Sequence, residues 1–287
     1  MRNLKFRDRK LCVVFLFVFL LLSVVKVSSE NNYPQRIISL GPALTEELYL
    51  LGLGSKLVGN TVYCKIPPEA KNKEKIGTVI DVNIEKIISL EPDLVLATSL
   101  TDSKTIDKLK NVRIKVVKFN QPKNFNEICE HVLRLGKITG KEKEAKKIIK
   151  IARDGVNIIR KKVEKLQKPK VFIQLGSKPL FTVTGDSFVN DFIEFGGGIN
   201  IVRKLKSGLY NIEDVLKKNP DVIIIPTMGI IGEQEKKNWQ KFKTLNAARN
   251  NRIYIIDSYK ICSPTPVSFV ETLREMVEIL HPVGAGM

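Results

Sequence analysis

An α/β fold of two lobes, each built on a mostly parallel sheet and joined by one long α-helix, is what this sequence predicts. Three observations predict it. Short β-rich runs alternate with helix-period stretches in both halves of the chain, as βαβ units require. A long helix-period stretch, Phe125 to Leu166, separates the halves. Part of the first half returns in the second at a constant offset of 128 residues. The chain has 287 residues, 43% hydrophobic and 27% charged, with 18 Gly and 13 Pro, which excludes disordered, collagen-like and disulfide-scaffold classes and leaves room for two cores.

The first element is a leader. Arg2, Lys5, Arg7, Arg9 and Lys10 precede an apolar run from Leu11 to Leu22, and Val27-Ser28-Ser29 offers small residues for cleavage. A run of about 12 residues is short for a bilayer, which takes about 20. Residues 1–29 therefore read as an export signal. The protein is expected to be exported and periplasmic, or membrane-anchored if the signal is not cleaved. Cys12 lies at the start of the apolar run, where lipidation is not expected. The leader holds six of the 48 Lys/Arg and one of the 30 Asp/Glu, so the net +18 falls to +13 without it. The remaining lysines are interleaved with glutamates, as in KNKEK and KEKEAKK, without an aromatic-plus-Arg stripe. Nucleic acid is not an expected partner.

Strands are predicted at 36–40, 56–61, 93–98 and 115–120, with helices at 45–51 and 84–90 among them, giving an N-terminal Rossmann-like lobe over 30–121. Apolar positions 125, 128, 132, 145, 149, 152, 156, 159 and 163 keep helical spacing. The expectation is one linking helix over 122–168, which would reach about 60 Å if unbroken. The alternative is a helical hairpin opening at Gly140. Strands at 171–175, 180–184, 222–227 and 253–257 then give a C-terminal lobe over 169–287.

The internal repeat pairs NIEKIISLEPDLVL from Asn83 with NIEDVLKKNPDVII from Asn211. Proline ends each helix, aspartate follows in the turn, and the apolar run fits a buried parallel strand. Glu85 and Glu213 sit near the two helix starts. Compensation of the helix dipole explains them one by one; as a pair, two pseudo-symmetric lobes would present both carboxylates on one face.

Cys64, Cys129 and Cys262 show no CxxC spacing, and His131 and His281 lie far apart, so no metal site and no resident cofactor are expected. Nucleophile-elbow, P-loop and GxGxxG patterns are missing, Gly196-Gly197-Gly198 included, and an enzyme is not expected.

These residues resemble the substrate-binding proteins of ABC importers for cobalamin and ferric siderophores, in which a single long helix joins two lobes. RIISLGPALTEELYLLGLGSKLVG is similar to that family's first strand, helix and second strand, with Gly41 where serine is usual. TVYCKIPPEAKNKEKIG, NIEKIISLEPDLVLA and PKVFIQLGSKPLFTVTGDSFVNDFIEFGGGINIV resemble later segments in order, and Leu280-His281-Pro282 closes the last helix. The resemblance implies that Glu85 and Glu213 dock on a permease dimer powered by its ATPase. It implies a ligand held between the lobes by Tyr63, Phe181, Asp257, Tyr259 and Ile261, with Val79 at a further position of the pocket; the helix start at Gly41, Pro42 and Ala43, and Trp239 beyond the turn after Thr227, are the other residues expected at the ligand. Tyr63 offers a flat apolar face with a polar tip, and Pro42 opens a helix whose N–H groups suit a ligand oxygen.

The family's cobalamin binders would carry tryptophan near Val79 and arginine near Ile261. Thr265, Val267 and Ser268 also stand where relatives often have arginine. Anionic ferric chelates favour guanidinium partners. The expected ligand is therefore a small-molecule metal chelate of low charge, cobalamin or another corrinoid, taken up by a monomer. A ferric siderophore or haem, met by Lys65, Lys178 or Lys260, is the alternative, and an exported adhesion or scaffold protein is the other.

Overall fold

The computed structural model describes residues 33–227 and 232–282, and the leader and Met228-Gly229-Ile230 lie outside the described residues. In the first lobe, β1 (Ile37–Ser39), β2 (Leu57–Asn60), β3 (Glu74–Lys75), β4 (Leu94–Ala97) and β5 (Val116–Lys118) form a parallel sheet in the order β3-β2-β1-β4-β5. Three α-helices belong to this lobe: α1 (Pro42–Leu50), α2 (Ile84–Ser89) and α3 (Ser103–Asn111). Side chains of a strand alternate between faces, and both faces here are covered. Ile37, Leu94 and Leu96 pack against α1, while Ile38, Val95 and Ala97 pack against α2 and α3.

The second lobe repeats the scheme. Strands β6 (Lys170–Ser177), β7 (Leu180–Thr182), β8 (Ile199–Asn200), β9 (Val222–Pro226) and β10 (Ile253–Ile256) run in the order β10-β9-β6-β7, with β8 also on β6. Only the β6–β7 hairpin pairing is antiparallel among them. The two short strands β3 and β8 carry no alternating apolar pattern and are decided by pairing alone.

The linking segment differs from the expected continuous helix. Helix α4 (Phe125–Thr139) stops at Gly140, which takes the left-handed conformation (φ 75°), and α5 (Glu142–Val163) starts two residues later. Glycine tolerates that backbone, and a Cβ at Gly136 would meet Ala145 Cβ at 2.7 Å, so the two helices reverse and pack closely. The hairpin alternative describes this segment, while α5 alone, at about 33 Å, is the long helix between the lobes. Val132, Leu135 and Ala145 belong to the first lobe's core; Phe125, Ile128, Ile149, Ala152, Val156 and Ile159 belong to the second's. Both helices are therefore shared by the two lobes.

The remaining helices are α6 (Phe188–Phe195), α7 (Ile212–Lys218), α8 (Gly232–Gln240), α9 (Asn246–Arg249), α10 (Ser258–Cys262) and α11 (Pro266–Leu280). Phe269 of α11 stacks on Phe192 at 4.2 Å and meets Phe125 at 4.6 Å, which ties α11 to α6 and α4.

The repeat has the same mechanics in both lobes. Asp93 carboxylate oxygens accept the N–H groups of Gln35 and Arg36 at the entry to β1 (2.6 and 3.2 Å), and Asp221 accepts the Lys170 N–H at the entry to β6 (2.8 Å). Glu91 and Asn219, each just before its proline, share a left-handed backbone (φ 47° and 46°). Asn83 and Asn211 cap α2 and α7 through the N–H groups of Lys86 and Asp214. In the second lobe, Asn200 explains the Gly-Gly-x-Asn ending by donating to Val183 O and Asn190 Oδ1, both at 2.9 Å.

A buried polar bond crosses between the lobes: Thr265 Oγ1 donates to Glu46 Oε1 at 2.8 Å. Thr265 also caps α11 in a reciprocal box with Ser268. Thr265 and Ser268 thus serve the frame. Thr265→Val should remove the cap and leave the buried carboxyl without this donor, costing about 2–4 kcal/mol. Calorimetry should show the melting temperature lowered by roughly 5–15 °C, with Thr265→Ser close to wild type; a Val variant melting with the wild type would refute the cross-lobe role.

Candidate functional site

Topology places the site. In doubly wound sheets the crevice opens at the carboxyl ends of strands, where the chain leaves a central strand that has neighbours on both sides. In the first lobe that strand is β1, between β2 and β4, and it feeds α1; in the second it is β6, between β8 and β9, and the chain beyond its hairpin feeds α6. A cavity of about 360 Å³ lies where these features meet, lined by Gly41, Pro42, Ala43 and Leu44 from one lobe and Ser187, Phe188 and Val189 from the other. The segments after β4 and β5 close its side, and α4 contributes Ile128 and His131. Ligand sites run from about 300 to 1,000 Å³ and are largely apolar. Larger grooves of about 460 and 520 Å³ follow α5 between charged side chains such as Arg160, Lys161 and Glu194, away from the strand ends.

The two helix N-termini in the wall differ. Ser187 caps α6 through the Val189 N–H (3.3 Å). Gly41 leaves α1 without a side-chain cap, and its backbone is extended (φ −152°), so glycine is not there for its torsion angle. Space is the reason: a Cβ would lie 2.6 Å from Thr98 Cγ2. Pro42 has no N–H, and the N–H groups of Ala43 and Leu44 find no acceptor in the protein among the described residues.

Two titratable residues in the wall escaped the sequence reading. Glu47 on α1 is 2% exposed, and burial, followed by the Glu46 charge, pushes its carboxyl well above the ordinary value of 4.5. No hydrogen bond to its carboxyl exists among the described residues, and Oε2 is fully sealed. Glu46 is also raised, mainly by burial, against the lowering effect of the Thr265 and Ser268 hydroxyls. His131 packs edge-on against Phe119 at 5.3 Å; burial, then Arg134, lowers its pKa, so the ring is neutral at pH 7. A trace of Glu47 was present in the sequence: it occupies the Leu44, Leu48, Leu51 stripe of α1, where a carboxylate is out of place.

Of the residues expected at the ligand, Gly41, Pro42, Ala43 and Val79 line the cavity. Tyr63 (50% exposed) and Phe181 (42% exposed) present open aromatic faces outside its wall. Asp257 caps α10 through the Tyr259 N–H at 2.8 Å. The Tyr259 hydroxyl is buried beside the backbone amides of Lys65 and Ile66, and burial raises its pKa. Two expectations are corrected. Trp239 is a core residue of the second lobe, packed on Phe172 with its indole N–H donated to Gln174 Oε1 at 2.6 Å. Ile261 is wholly buried in the core that α4, α5 and α11 share. Lys260 is paired with Glu275 at 2.6 Å.

Cys64, Cys129 and Cys262 are free thiols, and burial pushes Cys129 and Cys262 up to about 11, which disfavours their thiolates at neutral pH. Cys64 receives hydrogen bonds from Thr45 and neighbours Thr61, both at 3.2 Å, and so ties α1 to the segment after β2. Glu85 and Glu213 are exposed in the first turns of α2 and α7, with no ion-pair partner among the described residues. Each helix runs back along the strand that follows its Pro-Asp turn, so both carboxylates lie at the strand ends that carry the cavity.

Comparison with known proteins shows the family. The family described as periplasmic binding protein matches residues 37–260. An ABC transporter substrate-binding lipoprotein of Bacillus subtilis is 31% identical over 260 residues, covering 87% of this chain and 81% of its own. The solved structure of a possible iron-binding periplasmic solute-binding protein from Staphylococcus epidermidis superposes with a TM-score of 0.79 at 30% identity, covering 87% of this chain and 99% of its own. The periplasmic vitamin B12-binding protein of Vibrio cholerae gives 0.73 at 28% identity, covering 86% and 96%.

The buried acid predicts a pH signature. Glu47 titrates near its ordinary 4.5 in the unfolded chain and well above it in the folded one, so the fold prefers the protonated form. Its destabilising effect is absent below about pH 4.5, grows as pH rises from there toward the folded value, and levels off above it. Relative to wild type, Glu47→Gln should melt higher at pH 7.5, by about 2–4 °C for each kcal/mol relieved. That advantage should shrink as pH falls toward 4.5 in thermal scans; a pH-independent difference would contradict the assignment.

Proposed function

Because the chain belongs to the periplasmic binding protein family, the substrate-binding components of ABC transporters, we propose that it captures a corrinoid, cobalamin or a close relative, between its lobes and delivers it to a membrane permease. One observation carries the choice of ligand: the wall of the cleft cavity contains no lysine or arginine among the described residues. Ferric catecholates and haem present anionic oxygens, and burying these without cations is costly. A largely neutral macrocycle meets no such cost. The similar protein of Vibrio cholerae that is described as vitamin B12-binding supports the reading. A cavity of about 360 Å³ accommodates only part of a corrinoid, so the rest lies in the open cleft, where Tyr63 and Phe181 offer exposed aromatic faces. The second reading, an iron chelate, draws on the possible iron-binding relative from Staphylococcus epidermidis.

Delivery rests on Glu85 and Glu213. Two exposed carboxylates at equivalent corners of two lobes suit a pair of cationic sites on a permease dimer, where charge sets orientation and encounter rate more than affinity. The polypeptide is exported by its leader to the outer side of the cytoplasmic membrane, free or anchored. Because α4 and α5 are built into both cores, capture involves little domain closure.

Isothermal titration with cyanocobalamin, a panel of ferric siderophores and haem tests the ligand. Saturable one-to-one binding of cyanocobalamin is expected, and binding of an iron chelate alone would overturn the corrinoid choice. The double variant Glu85→Ala, Glu213→Ala should bind with unchanged affinity, while uptake in a reconstituted transporter drops about tenfold or more, the equivalent of losing two modest charge contacts. Unchanged uptake would remove the docking role.

A further inference from the structure

Resting on the corrinoid reading, we propose that Glu47 and the open N-terminus of α1 form a subsite that grips a primary carboxamide arm of the ligand and rejects a carboxylate in its place. Two independent features converge on one cavity. Helix α1 has nine residues and no side-chain cap, so the Ala43 and Leu44 N–H groups remain as donors. Gly41 keeps that end open, because Thr98 occupies the space a side chain would need. Glu47 lies a turn and a half further along the same helix, its Cα–Cβ bond tilted back toward the N-terminus as helical geometry dictates. It lines the same cavity, is 2% exposed, and its carboxyl has no partner among the described residues.

A buried acid without a partner is costly, and the chain carries it on a helix face otherwise given to leucines. The complement is a group with an acceptor for N–H donors and, beside it, a donor for a carboxyl oxygen. A primary amide has both. An ammonium group would satisfy Glu47 but would oppose the positive end of the α1 dipole. A carboxylate would suit the helix end but would either meet the Glu47 negative charge or oblige that acid to keep its proton, in a cavity without Lys or Arg. Metal ligation by Glu47 is not supported, since no group of three His, Cys, Asp or Glu is placed for it among the described residues. Corrinoids carry primary amides around the ring and haem carries carboxylates, so the subsite would discriminate between the two.

The experiment titrates the purified full chain and two variants with cyanocobalamin and with its monocarboxylic acids, in each of which one amide arm is hydrolysed. Glu47→Leu should weaken cyanocobalamin binding by about 10- to 100-fold, as expected for losing a hydrogen bond to a charged or strongly polar partner. Its melting temperature should equal or exceed that of wild type, which shows that the loss is local. Glu47→Gln should stay within about threefold, since an amide keeps an acceptor oxygen. One acid isomer should bind wild type about tenfold or more weakly than cyanocobalamin and recover in Glu47→Gln, where no second acid faces the ligand's carboxylate. Equal cyanocobalamin affinity in wild type and Glu47→Leu would overturn the subsite and leave the corrinoid reading standing. Wild type that ignores cyanocobalamin and binds haem or a ferric siderophore would overturn the reading itself, and the subsite with it.

Discussion

The structure depends on one constraint, the sharing of α4 and α5 between two hydrophobic cores. Each helix gives one stretch of its apolar face to the first sheet and another to the second. Hinging the lobes apart would expose leucine, isoleucine and phenylalanine side chains, at about 1.5–3 kcal/mol for each one fully uncovered. The cavity at the lobe junction is therefore largely preformed. Its width is set by helix packing, and its contents by the segments that leave the strands.

Those segments are aimed by the duplicated unit. In both lobes an asparagine-capped helix, a left-handed residue, a proline and an aspartate lead into a central strand, and the aspartate clamps the entry of the neighbouring strand. One local solution used twice points both sheets' carboxyl ends toward the junction. It also exposes one acidic residue at the start of each helix. The frame that holds the cavity thus also positions the carboxylates proposed to meet the permease.

Polar groups at the junction divide into satisfied and unsatisfied. Glu46 meets the Thr265 hydroxyl and locks α1 of one lobe to α11 of the other. Its neighbour Glu47 finds no hydrogen-bond partner among the described residues and lines the cavity. Burial raises both carboxyls, and only the first is compensated by the fold. An uncompensated buried acid is the kind of local inconsistency that natural proteins retain at sites of recognition.

Strand and helix periodicity in the sequence determined the two-lobe α/β plan. The offset of 128 residues determined that the lobes are repeats, because local pattern and turn chemistry are written in neighbouring residues. Gly41, Pro42 and Ala43 were legible as an open helix end for the same reason: a glycine-proline start after a β-run marks one. What lay beyond the sequence was decided by contacts distant along the chain. Gly140 signals a break in the linking helix, but only the packing of Gly136 against Ala145 makes that break a reversal. Trp239 and Ile261 have composition suited to a pocket or a core, and the surroundings of Phe172 and of α11 assign them to the core. Thr265 reads as a helix cap in sequence, while its bond to Glu46 spans 219 positions. Glu47 and His131 became cavity residues only when α1, α4 and the strand ends came together. Burial and electrostatic environment are properties of the assembled fold, and a single sequence records them only where a residue type conflicts with its own helical face.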